Sequence, residues 1–106
     1  MITLGKAKEL CKQQVKVFAL DKIERRGIVV LETSVLSVTY TYKPADEFFK
    51  ETDHVRLELV ETSDYLDVFE TEEEAVAWLL HNKGRIGVAG QQQLKLYRYK
   101  YPEIFV

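Results

Sequence analysis

The spacing of hydrophobic positions changes along this chain, and each change marks an element. After Thr3, the residues Leu4, Ala7, Leu10 and Cys11 recur at three- and four-residue steps opposite Lys6, Lys8, Glu9 and Lys12. That stripe predicts a short amphipathic helix ending near Gln14. From Val15 the period drops to two, with Val15, Val17 and Ala19 set against Lys16, Phe18 and Leu20. The β-forming side chains of this run favour a strand over a longer helix. Asp21–Gly27 is charged, ends in glycine and reads as a connection, and Ile28–Glu32 reads as the next strand. Thr33 and Ser34 interrupt or bulge the chain before Val35–Lys43, where Leu36, Val38, Tyr40 and Tyr42 alternate with Ser37, Thr39 and Thr41 until Pro44. Ala45–Asp53 is acidic, and a helical turn or an excursion tucking Phe48 or Phe49 inward is expected there. Val55, Leu57 and Leu59 give another strand, and Tyr65–Phe69 follows the turn at Thr62, Ser63 and Asp64.

The C-terminal third carries the strongest local signal. Thr71 with Glu74 forms a capping box, Glu72 and Glu73 complement the positive end of the helix dipole, and Ala75, Trp78 and Leu79 form an apolar stripe. A helix over 71–83 is expected, ended by Gly84. Gly87, Ala89 and Gly90 read as a loop, and Gln92–Tyr101 as a last strand with Leu94 and Leu96 opposite Lys95, Tyr97, Tyr99 and Tyr101. Pro102 stops it, leaving the apolar Ile104, Phe105 and Val106 to pack back or meet a partner. The expected fold is α+β, a single domain over 1–106. Its sheet is mostly antiparallel with five or six strands, joined by one long helix at 71–83 and a short N-terminal helix.

Composition narrows this little. A chain of 106 residues, 46% of them hydrophobic, can bury one core without staples. One cysteine, Cys11, cannot close an intramolecular disulfide, so a reducing cytoplasm is the expected location. The uncharged runs Ile28–Leu31 and Ser34–Tyr42 fall far short of the ~20 apolar residues of a membrane span, and no membrane partner is expected. Charge changes the picture more. Residues 1–43 hold eight basic and four acidic side chains, residues 44–75 two and twelve, and residues 76–106 five and one. The net charge of -2 therefore conceals a dipole in sequence, which strand order either preserves or mixes away.

Candidate chemistry is thin. A buried helical cysteine is usually a small hydrophobe, and His54 and His81 have no serine or carboxylate motif around them. Asp64, Asp67 and Glu70 recur every third residue, but strand parity turns Asp67 away from the other two, so no metal and no cofactor is expected. The glycines of 84–90 follow a helix and precede a strand, the reverse of a phosphate loop. The strand-then-capped-helix pattern of Phe69–Leu79 occurs in many unrelated domains and carries no function.

Two functional expectations remain. The first is a small non-enzymatic module working through a protein–protein surface as a regulator, inhibitor or accessory subunit. Its acidic stretch, with Asp46, Glu47, Asp64, Asp67 and Glu70, would face a protein partner, and the terminal strand could pair with its twin in a homo-oligomer. The second is single-stranded nucleic-acid binding on that last strand, with Tyr97, Tyr99 and Tyr101 stacking on bases and Lys95, Arg98 and Lys100 meeting phosphates.

Overall fold

The computed structural model describes residues 2–106. Helix α1 (Leu4–Gln13) begins where the Thr3 hydroxyl accepts the Lys6 N–H at 3.2 Å and ends at Gln14, whose φ of 53° is left-handed. Strands β1 (Lys16–Ile23), β2 (Gly27–Lys43), β3 (Thr52–Leu59) and β4 (Tyr65–Phe69) follow, then helices α2 (Glu72–His81) and α3 (Gly87–Lys100). A 3₁₀ turn at Lys83–Arg85 links the two helices, and another at Pro102–Phe105 closes the chain.

All strand pairs are antiparallel, in the order β3-β2-β1-β4. The sheet curls until its outer strands meet through a side chain. The Tyr65 hydroxyl on β4 donates to the Leu57 carbonyl on β3 at 2.7 Å and accepts the Leu57 N–H at 3.1 Å. Strand parity then sorts β1 between two cores. Val17 and Ala19 pack with Ala7 and Leu10 of α1 and with Val35, Leu57, Leu59 and Val68. Leu20, on the other face, packs with Ile28, Val30, Ala75, Leu79, Ile86 and Leu94 beneath α2 and α3.

β2 spans both cores. Its first half pairs with β1 and its second half with β3, and the register shifts between Val35 and Ser37, leaving Leu36 as the extra residue. An extra residue reverses which face the following side chains occupy. Ile28 and Val30 therefore face α2 and α3, whereas Val38 beyond the bulge packs on the α1 side.

Several expectations are corrected here. Ile28–Glu32 and Val35–Lys43 are one strand, and the bulge falls at Leu36, which is 67% exposed, rather than at Thr33 and Ser34. Part of the expected connection at Asp21–Gly27 is strand, since β1 runs through Ile23 to a tight turn with Arg25 at φ 64°. The helix expected over 71–83 stops at His81, where Asn82 Nδ2 donates to the Trp78 carbonyl at 2.8 Å. Both Phe48 and Phe49 point outward.

The largest correction is the last expected strand. Gln92–Tyr101, together with the glycine loop before it, is helix α3 up to Lys100, so the described residues form four strands and three α-helices. The glycines serve close approach rather than chain reversal. Gly87 has φ +67°, and a Cβ on Gly90 would lie 2.5 Å from both the Ile28 carbonyl oxygen and the Ile86 Cβ. Ile86 can therefore accept the Ile28 N–H at 2.9 Å, and the Gln93 amide closes the same edge of β2, accepting the Val30 N–H at 2.6 Å and donating to its carbonyl at 2.9 Å. An edge that would otherwise offer itself to another strand is filled.

Candidate interaction surface

Beyond Val38 and Val55 the side chains of the ribbon made by β2 and β3 are exposed. Val38 and Val55 still touch the α1 core, but Tyr40 and Tyr42, next on the same face, are 45% and 50% exposed. The ladder continues through Tyr40↔Val55, Tyr42↔Asp53 and Lys43↔Thr52, so these residues stand on an ordered two-stranded arm. Pro44 ends the pairing of β2 because it has no N–H to donate. Asp46 then shapes the tip. Its carboxylate accepts the N–H groups of Phe48 at 2.8 Å and Phe49 at 2.7 Å, and its own N–H donates to the Phe49 carbonyl at 3.0 Å. This Asx-type turn satisfies the backbone locally and leaves the two rings 82% and 74% exposed. Tyr40, Tyr42, Phe48 and Phe49 thus place four aromatic side chains on one projecting arm.

The arm's phenol is tied only loosely. Tyr40 OH lies 3.4 Å from Asp53 Oδ2, and partial burial, helped by that carboxylate, raises the Tyr40 pKa above its ordinary value.

The five acidic candidates do not form one patch. Asp46 and Glu47 sit at the arm tip, whereas Asp64, Asp67 and Glu70 lie before, on and after β4. β4 touches β3 at Leu57, five residues and roughly 17 Å along the strand from the arm's last pair at Thr52. Three of them are also committed locally: Asp64 pairs with Lys22 at 3.0 Å, Glu70 with Lys6 at 3.0 Å, and Asp67 accepts the Val68 N–H at 2.8 Å. The Glu70 hydrogen bond and charge raise the Lys6 pKa.

The tyrosine and cation candidates split as well, because helical spacing replaces strand parity. Tyr97 and Tyr101, four residues apart, turn toward α2, their ring centroids 6.1 Å apart. The Glu72 carboxylate receives the Tyr101 hydroxyl at 2.6 Å, the Tyr97 hydroxyl at 3.2 Å and Lys100 Nζ at 2.5 Å. Partial burial works to raise the Glu72 pKa, but the hydrogen bonds from Lys100, Tyr101 and Tyr97 outweigh it and hold the carboxyl below its ordinary value. Burial, then the Glu72 charge, pushes the Tyr97 phenol well up. This cluster clamps α2 to α3.

Tyr99 points the other way and is 87% exposed. With Lys95 and Arg98 it lines a cleft of about 410 Å³ whose other walls are Leu80, Lys83, Gln91, Leu94 and Phe105. The Arg98 guanidinium sits 5.4 Å from the centre of the Phe105 ring. The C-terminal apolar residues are thereby used in part, with Phe105 packed on the second core and Val106 in solvent.

Cys11 Sγ lies 3.6 Å from the Leu36 carbonyl, His54 lines the groove between β3 and β4, and His81 ends α2. Among the described residues no group of three His, Cys, Asp or Glu is placed to hold a metal ion, and no helix is long and apolar enough to cross a membrane. The arm is not legible in the pattern that predicts a helical turn or an excursion tucking Phe48 or Phe49 inward; the Asp46 carboxylate, two residues before Phe48, is the signal for a turn that presents both. No family model, no curated protein and no solved structure matches this chain.

Proposed function

We propose that this chain is a small non-enzymatic binding module that acts through protein–protein contact, with the β2–β3 arm as its contact element. One observation carries the reading: an ordered arm, its tip fixed by Asp46, holds Tyr40, Tyr42, Phe48 and Phe49 in solvent. Aromatic side chains supply most contact energy per residue at protein interfaces, and a pre-formed tip avoids the ordering cost of a loose loop. The acidic residues that support the reading are Asp46 and Glu47, beside the rings, rather than the β4 carboxylates with their local partners.

The experiment is a photo-crosslinking residue placed at position 48, activated in extract of the source cells. A crosslinked adduct that is degraded by protease, resists nuclease and disappears when Phe49 is also changed to Ser supports the reading. Absence of any polypeptide adduct refutes it.

A second reading is single-stranded nucleic-acid binding at the α3 cleft. It is favoured by the cations Lys83, Lys95 and Arg98 beside the exposed Tyr99. It stands second because Tyr97 and Tyr101 are engaged by Glu72, so one ring rather than three is free to stack. Titration of mixed-sequence single-stranded DNA and RNA at low salt, with Tyr99→Ala as control, decides it. Loss of one stacked base should cut affinity at least several-fold.

A further inference from the structure

The arm tip and the α3 cleft are both unsatisfied within the chain, and they complement each other. The segment 44–51 carries Asp46, Glu47 and Glu51 against one cation, Lys50, and presents Phe48 and Phe49. The cleft has an apolar floor of Leu80, Leu94 and Phe105, a rim of Lys83, Lys95 and Arg98, and no carboxylate among its lining residues. Among the described residues none of those three cations, nor Glu47 or Glu51, takes part in an ion pair. A cavity of about 150 Å³ already accepts a benzene ring, so about 410 Å³ has room for both phenyl rings.

Geometry prevents the two from meeting within one molecule. α3 is stitched to β2 at Val30, and the tip follows Lys43. Thirteen residues of extended chain, a contour of up to roughly 40 Å, separate them in a molecule 50 Å long.

We infer that Phe48 and Phe49 of one copy seat in the α3 cleft of a second copy, which returns its own arm to the first in a closed two-fold dimer. This rests on the reading of the arm as a protein-contact element and names its occupant. An antiparallel pair satisfies both ends at once, whereas one-way seating would leave an arm free and propagate a filament. Once the first joint forms, the second closes within the complex at high effective concentration. Counting ~150 Å² for each ring, four rings bring roughly 600 Å² of arm surface, and the walls of the two clefts add less than that. A total below ~1,200 Å² is smaller than a standard specific interface and corresponds to a weak dimer that relies on charge complementarity.

The test is sedimentation velocity of the full chain over a wide concentration range at ~50 mM and ~500 mM salt. A monomer–dimer equilibrium is expected, tighter at low salt. Phe48→Ser with Phe49→Ser, and separately Lys95→Glu with Arg98→Glu, should each raise the dimer Kd roughly 30-fold or more while the circular dichroism spectrum of the folded chain is retained. Adding Glu47→Lys and Glu51→Lys to the Lys95→Glu/Arg98→Glu variant should restore the dimer. A monomer at every concentration, a filament, or a dimer indifferent to the cleft reversals each overturns the inference. A monomer that binds single-stranded nucleic acid through Lys95 and Arg98 also overturns it and gives the cleft to that polymer. If the chain stays monomeric while position 48 crosslinks a different polypeptide, self-exchange fails and the arm reading stands.

Discussion

The two halves of β2 are made of similar alternating, β-branched and aromatic sequence, yet they are held in opposite ways. Between Gly27 and Ser34 both edges are occupied, by β1 on one side and by Ile86 and Gln93 on the other, and α2 and α3 cover the face that carries Ile28 and Val30. Between Ser37 and Lys43 the strand keeps one partner, β3, and its Tyr40 and Tyr42 face is half exposed. Burial enforces extended structure in the first half, whereas only the ladder does so in the second. Residues of the root thus set stability, and residues of the arm add little to it.

Substitutions at the two ends should separate these roles. Gly90→Val at the root drives a side chain into the Ile28 carbonyl and Ile86, and should lose about 3 kcal/mol in urea unfolding or fail to fold. Glu72→Gln, in the clamp that presses α3 toward α2, should cost roughly 1–3 kcal/mol at neutral pH. Because the folded Glu72 pKa lies below the ordinary value of about 4.3, the clamp's contribution is complete above that value. It is lost as pH falls through the lower folded value, so the Tm curves of the native chain and the variant should converge in acid. A gap that widens as the pH falls would contradict this account. Thr33, at the end of the root, is 2% exposed and its hydroxyl has no hydrogen-bond partner. Thr33→Val keeps the shape and should add about 1 kcal/mol, read as a higher Tm. Phe48→Ser with Phe49→Ser should move stability by no more than ~0.5 kcal/mol. A large loss there would mean the arm rings pack on the domain and would erase the distinction between the two halves.

How much of this could be read from sequence follows the same divide between local and tertiary causes. Thr3 and Thr71 announce their helices through caps that form within one turn, and Tyr65–Phe69 lies between turn residues and a helix cap. α3 was hidden because Leu94, Leu96, Tyr97, Tyr99 and Tyr101 mimic the period of a strand, while Gly87 and Gly90 suggested a loop. The competing signal was present: Gly90, Leu94, Tyr97 and Tyr101 follow helical steps, and Gln, Leu, Lys and Arg are good helix formers. The purpose of those glycines lies in Arg26 and Ile28, some sixty residues away, which no local pattern reveals. For the same reason the acidic stretch looked continuous: its partners Lys6 and Lys22 come from α1 and β1.

The phenol of Tyr65 sets how fast the β3–β4 seam opens. Where backbone ladders join strands, separating them breaks several hydrogen bonds together; where β3 meets β4, one hydroxyl holds both the N–H and the carbonyl of Leu57. Such a seam opens by rotation of a single side chain, a far faster event than strand separation. The Leu57 amide should therefore exchange its hydrogen orders of magnitude sooner than the ladder amides of β2 beside it.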